Sequence, residues 1–269
     1  VQKDLTAPVS TTVIGKEAAN IMMAWKMDGA AELQSDTLAV ISSILNNGKA
    51  GLLDININQP MRCQGVQAFN YDMRDYSQFI IYGMPNEGQT LDEVKSLILA
   101  EIEKLKRGEF SDKLLPAIVN NMKLDYLHSL DQNESRADAF VNSFINGRDW
   151  KTEVQKYDRI AGMTKQQIVD FARRHFTDGY AIVYKQQGED ASQKKIDKPA
   201  ITAIPTNRDM QSAFVKEIKE SKTEPIQPRF LDYNKDFAQL KTKRGLPVYY
   251  IQNKQNQLFN LAYYFEMGE

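Results

Sequence analysis

Apolar residues recur at helical spacing, then at strand spacing, then at helical spacing again between residues 38 and 106. Leu38, Ile41, Ile44 and Leu45 follow a plausible N-cap at Ser35 or Asp36 and predict a helix over 38–45. The six residues Asn46-Asn47-Gly48-Lys49-Ala50-Gly51 break it, with Gly48 and Gly51 bracketing a sharp redirection of the backbone. A short helix over 52–58 comes next. Val66 and Phe69, then Phe79, Ile81 and Tyr82, predict strands over 63–71 and 77–84. Thr90-Leu91-Asp92-Glu93 is a capping box that opens a helix over 91–106. Val94, Leu97, Ile98, Ile102 and Leu105 form its apolar stripe, and Gly108 stops it. The order predicts an antiparallel sheet with amphipathic helices on one face.

Farther along, two successive helices are expected over 114–127 and 131–144, as an antiparallel pair. Pro116 is tolerated in the first turn of the former, and Ala137, Ala139, Phe140 and Phe144 share one face of the latter. From 186 to 228 the chain is rich in Lys, Glu, Asp, Gln, Ser and Thr, and Pro199, Pro205, Pro225 and Pro228 punctuate it, which reads as a linker. A short helix over 210–219 is expected inside it, lying against a domain. Beyond it, 246–253 predicts a strand, 253–256 a turn and 258–266 the returning strand. Tyr249-Tyr250 and Tyr263-Tyr264 would each turn one ring to a core. A two-stranded hairpin is marginal alone, so the polypeptide is expected to continue past Glu269.

Composition narrows the classes modestly. At 42% hydrophobic residues, the 269-residue chain can bury a sizeable core. Its net charge of −1, with acids and bases interspersed, argues against a nucleic-acid surface or a polybasic membrane patch. Cys63 is the single cysteine, so no internal disulfide forms. No apolar run approaches the ~18 residues of a spanning helix. The chain begins at Val1, so a missing targeting segment carries no information.

The element order, and the words Ile44-Leu45-Asn46-Asn47-Gly48-Lys49-Ala50-Gly51-Leu52-Leu53, resemble the pitrilysin/insulysin-type zinc metallopeptidases, which include the mitochondrial processing peptidases. Glu109-Phe110-Ser111-Asp112-Lys113-Leu114 is similar to that family's turn into its next long helix. Gly162-Met163-Thr164-Lys165-Gln166-Gln167-Ile168-Val169, then Phe171 to Phe176 and Tyr180-Ala181-Ile182-Val183-Tyr184-Lys185, resemble its last helix and strand. Arg244-Gly245-Leu246-Pro247-Val248 through Phe265-Glu266-Met267-Gly268 is similar to the opening hairpin of a further module. The resemblance implies an α+β two-layer sandwich, its mainly antiparallel sheet covered by helices on one face. It implies a non-catalytic second module over 1–187, an inter-repeat linker over 188–228 and the truncated start of the next module over 229–269.

The chemistry is mostly a matter of what is missing. The family's catalytic module carries H-x-x-E-H, two imidazoles one helical turn apart with a glutamate that activates the zinc-bound water. Here the two histidines, His128 and His175, sit in different predicted helices and outside that motif. His128 is expected on a helix flank and His175 at a helix C-terminus, where the dipole favours a partly positive ring. The arginine and tyrosine that a non-catalytic module of the family can contribute fall near Ile57 and Gln64, neither able to play the role. Arg62 and Tyr71 are nearby, without a basis for carrying the role to them. Gly48-Lys49 lacks the G-x-x-x-x-G-K-[ST] frame, and no nucleophile elbow exists. Glu101/Glu103 and Asp92/Glu93 read as solvated helix faces, and Asn133-Glu134-Ser135 is given no weight as a glycosylation triplet.

The expectation is therefore no catalytic, cofactor-binding or metal-binding residue here, and zinc in the catalytic module of a parent metalloendopeptidase. The chain would be that parent's inactive chamber-forming module, its partners an upstream catalytic module and a peptide substrate, with no nucleic acid and no membrane span. The resemblance implies a bacterial periplasm or cell envelope. The alternatives are a scaffold homologue without hydrolysis, or a stand-alone peptide-binding α+β domain.

Overall fold

The structure, a computed structural model, describes residues 3–190 and 198–268. The chain divides into two compact units, 1–196 and 197–269.

In the first unit, strands β1 (Val9–Gly15), β2 (Asn20–Asp28), β3 (Gly65–Tyr71), β4 (Tyr76–Met84) and β5 (Ala181–Gln187) form one sheet in the order β1-β5-β2-β4-β3. Only β1 and β5 run parallel; the other neighbours are antiparallel. Register places Met23 between Ile81 and Ile182, and Trp25 opposite Phe79. Alternation then turns Ile21, Met23, Trp25 and Met27 to one face, where they are buried. Helices α1 (Gln34–Leu45), α2 (Leu91–Arg107) and α7 (Lys165–His175) belong to the layer on that face. Between α2 and α7 run α3 (Leu114–Ser129), α4 (Asn133–Asn146), α5 (Trp150–Val154) and α6 (Lys156–Ala161).

Helices α2 and α7 are specified locally. Thr90 and Glu93 close the expected capping box on α2, and Gly108 ends it at φ 70°. Thr164 and Gln167 form a further capping box, on α7. Val94, Ile98, Ile102 and Leu105 are buried along α2, worth roughly 6–12 kcal/mol of transfer energy as an upper estimate. The helix lies close on β4 because position 83 is glycine: a Cβ there would meet Val94 Cγ1 at 2.8 Å. At the sheet's centre Trp25 packs against Phe176 and Tyr180, and its Nε1 donates to the Thr177 carbonyl at 2.9 Å.

Several expectations need correction. Neither Ser35 nor Asp36 caps α1; the cap position is Leu33 without a side-chain bond. Both lie in the first turn and are buried, because Asp36 is spent on two arginines. The π-helical turn Asp54–Asn58 occupies most of the expected short helix. Helix α4 does not bury an apolar face against α3: among its residues only Ser143 is buried, and Phe140 and Phe144 are exposed.

In the second unit, α8 (Ala213–Glu220) matches the short helix expected over 210–219, but buries no residue. The hairpin pairs β6 (Ala238–Lys241) with β7 (Pro247–Tyr250), not 246–253 with 258–266. Gly245 at φ 84° and the Thr242–Leu246 hydrogen bonds make the turn. The turn at 253–256 forms through Asn253, which accepts from Gln255 and Asn256, but 258–266 adds no strand. All four tyrosines, Tyr249, Tyr250, Tyr263 and Tyr264, are exposed rather than half-turned to a core. Residues 191–197 of the expected linker, and Glu269, lie outside the described residues.

Candidate functional site

The glycine break is built around a carboxylate. Asp54, 3% exposed, accepts from the backbone N–H groups of Asn47 (2.8 Å), Gly48 (2.9 Å) and Gly51 (3.2 Å). Its other oxygen takes Asn46 Nδ2 at 2.5 Å. A Cβ at position 51 would meet the Leu45 carbonyl oxygen at 2.5 Å, so only glycine lets the chain double back here. Three of the loop's amides thus point inward at Asp54, and those of Lys49 and Ala50 donate to Asn47 Oδ1, which leaves no cradle for a phosphate. Gln59 Nε2 and Asn58 tie the following turn to the Lys49 carbonyl and to Val66.

The family's arginine and tyrosine positions land differently. Ile57 is fully buried in the core and Gln64 is exposed at the start of β3, its N–H donating to the Met84 carbonyl. Arg62 is exposed on the preceding turn, and Tyr71 is exposed at the end of β3. The structure does not bring a paired guanidinium and phenol together there.

His128 occupies the last turn of α3 and is exposed. His175 occupies the last turn of α7, stacked on Phe171 at 4.1 Å. Burial, reinforced by Arg174, pushes the His175 imidazole below its ordinary pKa, and Asp28 only partly offsets this. The expected benefit of a positive ring at the helix C-terminus is outweighed by desolvation. No three His, Cys, Asp or Glu side chains converge as a metal-binding group among the described residues, so the donor set does not fit zinc. Cys63 is buried, which pushes its thiol pKa up and leaves it a poor nucleophile.

Of the acidic pairs, Asp92 binds Lys95 and the Tyr184 hydroxyl, and Glu93 serves the cap. Glu101 departs from expectation: it is 2% exposed and takes Asn56 Nδ2 at 2.7 Å and Lys104 Nζ at 2.8 Å. It ties α2 to the π-helical turn, so the i,i+2 pair with Glu103 is split between core and solvent.

One feature was not foreseen. Asp36, 1% exposed, is gripped by Arg148 Nη1 at 3.0 Å and by Arg159 Nε at 2.9 Å and Nη2 at 2.7 Å. Arg148 also binds Glu153, the Glu32 carbonyl and the Ser35 hydroxyl. This clasp fastens α1 to α5 and α6, and beside it a cleft of about 610 Å³ is lined by Asp28, Gln34, Arg159, Phe171, Arg174 and His175 among others.

The sheet's other face is opposite the buried side chains of β2 that meet the helical layer. Register aligns Met22 with Tyr82 and Val183, and Phe69 with Ile80. Met22, Phe69 and Tyr71 are exposed there. β1, exposed along nearly its whole length, leaves one edge of the sheet unpaired. An open, apolar sheet face with a free edge can receive an extended segment through backbone groups.

Comparison with known proteins adds a name to this geometry. Residues 2–122 match the family described as "Peptidase M16 inactive domain". The zinc protease PqqE of Helicobacter pylori is 24% identical over 174 residues, covering 62% of this chain and 38% of the relative. A protease structure from Helicobacter pylori aligns at TM-score 0.64 and 19% identity, over 68% of this chain and 45% of that one. The inactive peptidase domain of a protein described as a zinc protease from Bordetella parapertussis aligns at TM-score 0.57 and 16% identity, over 63% and 93%. The first half of the periplasmic protease PqqL of Escherichia coli aligns at TM-score 0.55 and 13% identity, over 68% and 43%. These likenesses establish the two-layer α+β fold expected from the sequence. The chain spans less than half the length of the curated relative it matches.

Proposed function

We propose, from the premise that residues 2–122 are a peptidase M16 inactive domain, that the chain is the chamber-forming module of a zinc metallopeptidase. The observation that carries this reading is the conjunction of that domain with a histidine pair, His128 and His175, held on separate helices outside any H-x-x-E-H motif. Hydrolysis then belongs to a zinc-bearing partner module, in the same polypeptide or a separate one.

The open sheet face of Met22, Phe69 and Tyr71 would wall the chamber, and the free β1 edge would receive a substrate peptide as an added strand. The division into a module over 1–187, a linker over 188–228 and the start of a further module over 229–269 is part of this proposal. A bacterial periplasmic location is proposed from the Escherichia coli structure, itself described as periplasmic. No described helix is long and apolar enough to cross a membrane.

Fluorogenic peptide hydrolysis by the purified chain, with and without EDTA, tests the first part. No turnover is expected, and calorimetric titration with Zn²⁺ should show no stoichiometric site. EDTA-sensitive hydrolysis by the chain alone would overturn the reading. Native purification followed by mass spectrometry tests the second part: an H-x-x-E-H-bearing sequence should accompany the chain. A complex containing no such sequence favours the scaffold alternative.

A further inference from the structure

The face of α4 is the first unit's most conspicuous unused apolar surface. Phe140, Val141, Phe144 and Ile145 recur at i, i+1, i+4 and i+5, so they share one side of the helix. All four are exposed, Phe144 to 85%. Trp150 extends the patch by stacking on Phe140 at a centroid distance of 4.1 Å, and Val154 on α5 is exposed beside it. Such exposure is unusual on a capped helix. Gly147 ends α4 in the left-handed region, and Asp149 caps α5 through Lys151 and Thr152. The backbone is therefore held while its apolar side chains find no cover in the unit.

Taking ordinary side-chain areas, the six residues expose about 600 Å² of apolar surface, the upper end of what a monomer leaves open. That is close to the ~800 Å² per partner of a standard interface. The charged residues of α4 and α5 do not fit an anionic membrane. Glu134, Asp138 and Glu153 outnumber Arg136 and Lys151, whereas interfacial helices are rich in lysine and arginine on the polar side. The length of the relatives favours a folded neighbour. This chain covers 93% of an isolated inactive domain but only 43–45% of the Escherichia coli and Helicobacter pylori chains, so the fold also occurs with as much polypeptide again beside it.

We infer that the α4–α5 face is the docking surface for the zinc-bearing module, with Phe144 as its central anchor. This rests on the function proposed above and adds which surface makes the contact. It assigns opposite roles to two apolar faces: the open sheet face to the chamber, the α4 face to module packing.

The test places a photo-crosslinking phenylalanine analogue at position 145, and separately at position 69 on the open sheet face, in the protein produced from its native gene. Position 145 is expected to crosslink to a peptide of the H-x-x-E-H-bearing module, and Phe144→Asp to lower that yield more than tenfold. Phe144→Asp in the isolated chain should leave its thermal transition unchanged, since the ring is exposed. Crosslinking of position 145 to the same face of a second copy, or to lipid, would overturn the inference. So would crosslinking of position 69 but not 145 to the zinc-bearing module, or no product from 145 in a complex that contains that module. Absence of any H-x-x-E-H-bearing sequence from the preparation would instead remove the functional reading itself.

Discussion

Replacing Asp54 with alanine should unhinge the glycine break. The carboxylate is the common acceptor of three backbone N–H groups, those of Asn47, Gly48 and Gly51, and of Asn46 Nδ2. An unsatisfied buried donor costs about 1–3 kcal/mol. The Gly51 N–H is buried and would bear that in full. The Asn47 and Gly48 groups are partly buried, and water would recover roughly half of each loss. The sum is about 4 kcal/mol, or about 8–16 °C in the melting temperature of a unit this size. Asp54→Asn keeps an acceptor but loses the charge, and should cost about half as much. Urea unfolding followed by circular dichroism measures the shift in midpoint at constant slope. Amide exchange at Gly48 and Gly51 should accelerate before that of the α2 core. A loss below about 0.5 kcal/mol for Asp54→Ala, or unchanged exchange at Gly51, would refute the idea that this side chain organises the break.

Asp36→Ala leaves Arg148 and Arg159 without their shared carboxylate, which should cost about 3–5 kcal/mol because a buried guanidinium is stranded. Adding Arg148→Met should recover part of that loss; a strictly additive double variant, measured by urea titration, would rule out the coupling. Because burial holds the His175 pKa below its ordinary value, the unfolded chain binds a proton that the folded chain resists. Stability should therefore fall as the pH drops through about 6.5 and level off below the folded pKa. His175→Gln should flatten the melting temperature in that window, and an NMR titration placing the folded pKa above 6.5 would contradict the argument.

Much of the two-layer core was legible because its signals are local. The Thr90–Glu93 box, the Gly108 stop and the 3.6-residue stripe of Val94, Ile98, Ile102 and Leu105 each depend on residues within one helix. The same holds for the two strands around Phe69 and Phe79. The expectation that this chain carries no zinc site rested on two histidines outside H-x-x-E-H and needed no coordinates. What only the tertiary structure decided are partnerships across long separations. Asp36 resembled a helix cap in the sequence; its true partners lie more than a hundred residues away. Glu101 resembled a solvated face until Asn56 was brought to it. Phe140 and Phe144 carried a core-like pattern, yet α4 finds nothing in its unit to bury them. The final hairpin turned on Gly245 rather than Asn253: Gly245 takes the left-handed conformation that lets β6 and β7 pair across it, while 258–266 adds no strand. Periodicity states that a side chain prefers to leave water; only the folded chain determines which surface, if any, receives it.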